Sequence, residues 1–226
     1  MMMRRAAAAR AIQISTAAAG LAIAALAAAV APAPTVAAAT ITVSPGDRID
    51  TVEGFCTIGY TYNGTDGHTY AITAGHCATR TGQRVTDSDT GADGAIVRAV
   101  VDADGSGGAD YGLIDFGKRT LALPFIGNYP LATGRRGAQP GQPICHTGAS
   151  SGQQCGHVAD SYGPDQYLTT DDMPRSIPGD SGGPVWTLRD DGRAEVIGIW
   201  LGGRRTFGGH DAGRFAVLSQ AFTDLT

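Results

Sequence analysis

The chain has 226 residues, 42% of them hydrophobic and 17% charged, with 33 glycines and 11 prolines. That length fits one globular domain or two small ones, and so much glycine and proline fits short strands joined by turns, which excludes a helical bundle. The formal charge is −4. Setting aside Arg4, Arg5 and Arg10 at the N-terminus leaves an acidic body with scattered arginines, which argues against nucleic acid as a partner.

Residues 1–39 read as an export signal. Arg4, Arg5 and Arg10 form a positive head, Ala11 to Ala31 an apolar run, and Ala37 to Ala39 a small-residue cleavage site. The alternative is a retained N-terminal membrane anchor, although alanine partitions weakly into lipid. The mature domain is then 40–226. Export gives meaning to the four cysteines, Cys56, Cys77, Cys145 and Cys155, since an even number in an oxidising compartment favours disulfides. Three pairings are possible, and the sequential one closes two short loops. A zinc site of Cys145, His146, Cys155 and His157 is the rival, on a spacing that matches no familiar zinc pattern.

Thr40 to Thr51 reads as a polar lead-in or short prosegment. Phe55 to Tyr62 alternates like one strand, Asn63 to Gly67 is a hairpin turn, and His68 to Thr73 returns, ending in Ala74-Gly75-His76-Cys77. A histidine at such a strand end is a candidate base, because neutral imidazole takes a proton near pH 7. Gly82 to Val101 reads as a second hairpin turning at Gly91 to Gly94. Asp102 to Ala109 is a flexible loop in which Asp102 and Asp104 are expected to be solvated. Asp110 stands at the mouth of the apolar strand Tyr111 to Phe116, where a half-buried carboxylate needs a partner, and His76 could be that partner.

Lys118 to Gly141 reads as the connection between two halves, about 50–120 and about 142–226. The second half holds a hairpin over Ile144 to Val158 and a short strand at Tyr167 to Thr170. Strands follow at Val185 to Leu188 and Glu195 to Leu201, with Gly202-Gly203 opening a loop. Phe215 to Phe222 runs from a last strand into a short terminal helix. Between these lies Pro178-Gly179-Asp180-Ser181-Gly182-Gly183-Pro184. Glycines permit a tight turn and close approach of another molecule. Such a turn can expose Ser181 Oγ and aim the amides of Gly179 and Ser181 at one point, an oxyanion hole beside a nucleophile.

The order His76, Asp110, Ser181 resembles the chymotrypsin-like serine proteases. Thr73-Ala74-Gly75-His76-Cys77 and Gly179-Asp180-Ser181-Gly182-Gly183-Pro184 are similar to that family's histidine and serine motifs. Asp110-Tyr111-Gly112 and the hairpin from Cys145-His146-Thr147-Gly148 to Cys155-Gly156 resemble those of its secreted bacterial branch, the streptogrisins and α-lytic protease. The resemblance covers about 50–220. It implies an all-β fold of two packed, antiparallel six-stranded barrels with a short C-terminal helix. It also implies a secreted, monomeric endopeptidase acting on protein or peptide through an acyl-enzyme. Such an enzyme has no cofactor or metal, and touches membrane only if the leader is retained.

The sequence departs from the family at several positions. The acid before the serine normally pairs with an arginine of the second hairpin. Here that position is His146, so an Asp180–His146 ion pair that weakens as pH rises is expected. Leu201 stands where a serine usually supports the catalytic aspartate. Arg175 falls where the first specificity pocket is often floored and Trp200 where it can be narrowed, so basic side chains are disfavoured and acidic ones favoured; the alternative is that Arg175 swings to solvent. Gly202 and Gly203 offer backbone to an extended substrate. A further disulfide near the serine and a long folding prosegment are missing. Two other functions remain open at this point. Gly179-x-Ser181-x-Gly183 also fits a serine esterase elbow, but that fold needs its acid and histidine after the serine, and only His210 follows. The other is a non-catalytic binding module on a protease scaffold.

Overall fold

The computed structural model describes residues 40–133, 136–205, 209 and 211–225. The expected export leader and His210 lie outside them. The first half carries β1 (Ile41–Val43), β2 (Arg48–Thr51), β3 (Gly54–Thr57), β4 (Tyr60–Asn63) and β5 (Thr69–Thr73). A single 3-10 turn, Gly75–Cys77, follows, then β6 (Arg84–Asp87), β7 (Asp93–Val100) and β8 (Tyr111–Asp115). The connection holds β9 (Thr120–Ala122), β10 (Phe125–Ile126) and β11 (Tyr129–Pro130). The second half is β12 (Pro143–Gly148), β13 (Gly152–Tyr162), β14 (Gln166–Thr169), β15 (Pro184–Leu188), β16 (Ala194–Arg205) and β17 (Asp211–Val217), closed by helix α1 (Leu218–Leu225).

The all-β fold and the terminal helix are as expected. The second half is a closed six-stranded barrel, β12-β13-β14-β17-β16-β15. The first is a seven-stranded antiparallel sheet, β3-β2-β6-β7-β8-β5-β4, with β3 and β4 at its edges.

Central strands are apolar without a break because both of their faces are buried. Along β16, Val196 and Ile199 pack into a core shared by the two halves, with Ile72, Tyr111, Leu113 and Leu201. Ile197 and Trp200 turn the other way, into the barrel interior with Ile144, Val185 and Phe215. β5 divides likewise: Ile72 enters the shared core and Ala71 the core of the first half, beside Ile49, Ile58 and Ile114. Helix α1 buries Leu218, Ala221 and Leu225 on one face.

Four segments differ from their sequence reading. Thr40 to Thr51 is part of the domain: β1 pairs in parallel with β9, and Val43 and Ile49 are fully buried. Phe55 to Tyr62 is broken at Ile58-Gly59, where a Cβ on Gly59 would lie 2.4 Å from both Gly182 O and Ile199 Cδ1. Gly202 and Gly203 remain in β16, paired across to Arg214 and Gly213. Asp102 is not solvated. Its side chain is 1% exposed, and its Oδ2 accepts from Gly107 N, Gln166 Nε2 and Arg214 Nη1.

The cysteines pair as Cys56–Cys77 and Cys145–Cys155, which removes both thiolates of the zinc reading. With its cysteines 21 positions apart in sequence, the first bridge contributes about 3 kcal/mol on the chain-entropy argument. Replacing both Cys56 and Cys77 by alanine is expected to lower the unfolding free energy by about that amount, read from urea titration.

Candidate active site

His76 occupies the 3-10 turn just past β5, and Cys77 anchors that turn covalently to β3 through Cys56. Asp110, 2% exposed, immediately precedes β8 and reaches the turn with both oxygens: His76 N donates to Oδ1 at 2.9 Å, and His76 Nδ1 lies 3.0 Å from Oδ2. A carboxylate only accepts, so Nδ1 carries the proton and the lone pair is left on Nε2, the nitrogen facing away from Asp110.

Ser181 is held by the turn around it. Gly179 and Gly182 have φ of +100° and +90°, a region that side-chain-bearing residues rarely adopt. A Cβ on Gly182 would stand 2.0 Å from Thr73 Oγ1 and 2.3 Å from Thr57 O. Gly182 N donates to Trp200 O at 2.7 Å, and Thr57 N to Ser181 O at 2.8 Å. Thr57 Oγ1 donates to Gly179 O at 2.8 Å and accepts from Ala149 N at 2.9 Å. The serine turn is thereby pressed onto β3 and β5, and Cys77 Sγ, one residue past His76, lies 3.9 Å from Ser181 O. Among the described residues the amides of Gly179 and Ser181 donate to nothing, and Ser181 Oγ and His76 Nε2 make no hydrogen bond to each other or to any other group.

Asp180 does not pair with His146. Ser150 N and Ser151 N donate to its Oδ1 at 3.1 and 2.9 Å, and Ile177 N to its Oδ2 at 3.1 Å. Three amides satisfy the buried carboxylate without a counter-ion. His146 is fully buried and lies flat on the Trp200 indole, centroids 4.0 Å apart at 7°, with neither ring nitrogen partnered. Burial pushes its pKa down to about 4, against a smaller upward pull from Asp180. The imidazole is therefore neutral at neutral pH, and the expected weakening of an ion pair as pH rises has no basis.

The expected substrate-contacting residues divide. Gly202 and Gly203 are on β16, and a Cβ on Gly202 would lie 4.0 Å from Ser181 Oγ and 3.8 Å from Ser176 Oγ. Trp200 is buried and donates from Nε1 to Ser176 Oγ at 3.0 Å. Leu201 is 5% exposed in the shared core, and among the described residues both hydrogen bonds to Asp110 come from His76 and none from a hydroxyl. Arg175 is 85% exposed and pairs with Asp211 at 3.0 Å; it forms a wall of a small cavity, not a buried floor. Sequence reading missed Thr57, whose position in a short strand carries no signal, and Ser176 and Arg205, which the fold brings to that same cavity.

The chain is 34% identical over 170 residues to the uncharacterized protein Rv1815 of Mycobacterium tuberculosis, covering 71% of this chain and 73% of that one. It is 31% identical over 162 residues to serine protease 2 of Streptomyces fradiae, covering 66% and 87%. Among solved structures it is similar to Thermobifida fusca protease A, with a TM-score of 0.62 and 22% identity over 81% of this chain and 95% of that one. No family model matches. The chain belongs to the chymotrypsin-like serine proteases.

His146 gives a pH prediction. Its folded pKa, about 4, is below the ordinary 6.5, so as pH falls the unfolded chain takes up a proton first. Stability is full above about 6.5 and declines toward pH 4 and below, by about 3 kcal/mol when protonation is complete. The variant His146→Phe, which keeps the stack, is expected to show a flatter urea midpoint between pH 6.5 and pH 4 than wild type.

Proposed function

We propose that this chain is an exported serine endopeptidase that works through His76, Asp110 and Ser181. The observation that carries this reading is the His76–Asp110 contact at 3.0 Å, beside a turn whose Gly179 and Ser181 amides are left open. Ser181 Oγ attacks the peptide carbonyl while His76 Nε2 takes its proton. The tetrahedral oxyanion is held by the Gly179 and Ser181 amides, and the C–N bond breaks as His76 returns the proton to the leaving amine. Water, deprotonated by the same imidazole, then clears the ester. Asp110 holds the tautomer and stabilises the imidazolium throughout. The unmade Ser181–His76 hydrogen bond is compatible with this cycle, because catalytic hydrogen bonds are often long before substrate binds.

The two disulfides fit an oxidising compartment, in keeping with export by the 1–39 leader and activity outside the cell. The mature unit is then the single domain 40–226, acting as a monomer on protein or peptide.

Two observations favour a second reading, a binding module on the same scaffold: the open Ser181–His76 pair, and an Asp110 that among the described residues accepts from His76 alone. A fluorophosphonate probe separates them. Labelling of Ser181, lost in Ser181→Ala and in His76→Ala, is expected for the peptidase; no labelling of folded wild type would leave the binding module. On a peptide substrate Ser181→Ala is expected to lower kcat by at least about 10⁴-fold and Asp110→Asn by about 10⁴-fold.

A further inference from the structure

A cavity of about 230 Å³ opens beside the nucleophile, between residues 173–176 and the facing ends of β16 and β17. It is smaller than the roughly 300–1,000 Å³ typical of small-molecule sites, which suits one short side chain. Gly202 joins it to the serine: the bare backbone there has Ser181 Oγ on one side and Ser176 Oγ, in the cavity wall, on the other. Trp200 packs behind the wall: a Cβ on Gly213 would stand 2.1 Å from the far edge of the indole.

The polar groups of the wall are biased toward donors. Its charged residues are Arg175, Arg204, Arg205 and Asp211. Asp211 is engaged by Arg175. Arg204 turns to the Asp102 loop, where it donates to Gly105 O at 3.2 Å and lies over the Tyr162 ring at 4.4 Å. Among the described residues Arg205 has no carboxylate partner. Ser176 Oγ accepts the Trp200 N–H, which leaves its own proton to donate, and it donates to no group among the described residues. An unpaired guanidinium and a free hydroxyl in a shallow recess match a carboxylate. A lysine or arginine side chain would meet the Arg205 guanidinium with no carboxylate free to receive it.

Resting on the peptidase reading, we propose that the residue on the acyl side of the cleaved bond is glutamate or aspartate, recognised by Arg205 and Ser176. This shifts the selecting charge from Arg175, the residue the sequence singled out, to Arg205.

The test compares peptides that differ only at that residue: Glu, Asp, Gln, Ala, Phe and Lys. With wild type, kcat/KM for Glu is expected to exceed that for Gln by at least about 10-fold, since each amide analogue loses the charge but keeps the shape. Arg205→Gln is expected to bring that ratio near one, Arg205→Lys to retain part of it, and Ser176→Ala to reduce it. Arg84→Gln, on the first sheet, should leave it as in wild type. A wild-type Glu/Gln ratio near one, or a ratio indifferent to Arg205→Gln, overturns the proposal. Fluorophosphonate labelling of Ser181 alongside such a result leaves the peptidase reading standing. A second arm does not need turnover: Ser181→Ala protein is titrated with product peptides ending in Glu or Gln. Tighter binding of the Glu peptide that weakens as salt rises supports the assignment, and equal binding rejects it.

Discussion

The active-site geometry depends on one threonine. Thr57 ends β3, fully buried, and each of its polar groups is committed: its amide to Ser181 O, its hydroxyl to Gly179 O and Ala149 N, and its carbonyl to Thr73 Oγ1. Thus a strand of the first sheet holds the serine turn of the second half at Gly179 and at Ser181. The contact tolerates no side chain on Gly182, whose absent Cβ is the gap into which Thr57 and Thr73 fit. Such a buried network is favourable only when every member is satisfied. Gly179 and Ser181 spend their carbonyls on Thr57, and the amides that share those peptide planes, Asp180 N and Gly182 N, donate to Ile177 O and Trp200 O.

Asp180 shows the same reliance on backbone. A buried carboxylate needs either a counter-ion or several donors. Three amides from residues 150, 151 and 177 supply the second solution and tie the second hairpin to the serine turn. This frees position 146 from carrying charge. A neutral imidazole is an adequate flat partner for the Trp200 indole, at the expense of two unpaired ring nitrogens in a dry interior.

Much of this was legible in the sequence because it is written in short, local signals. His76 and Ser181 stand in strongly constrained runs, Gly75-His76-Cys77 and Gly179 to Pro184. Asp110 was recognisable from its position before an apolar strand. The hairpins at Asn63 and at Gly148 follow from turn chemistry. What escaped was set by distant contacts. The break at Gly59 exists only because Gly182 packs there. Asp102 looks like a loop aspartate until the fold brings Arg214 and Gln166 from β17 and β14 to it. The Asp180–His146 pair follows from the family's acid–arginine pairing at that position, and the resemblance does not reveal that loop amides already surround the carboxylate. Glycines 202 and 203 read as a loop, yet β17 lies alongside to pair with them.

Asp110 is placed by tethers on both sides of it in the chain. Upstream, Asp102 joins the 102–107 loop to Gln166 and Arg214 of the barrel. Downstream, Tyr111 Oη donates to Val217 O at 3.0 Å, just before α1. Between these anchors the carboxylate has little freedom and spends both observed hydrogen bonds on His76. Where relatives of this fold would use a hydroxyl at position 201 to orient the aspartate, Leu201 instead adds to the apolar core the two halves share. The Asp102 and Tyr111 side chains tie the segments on either side of Asp110 to the second half, so the position of Asp110 derives from how the two halves dock.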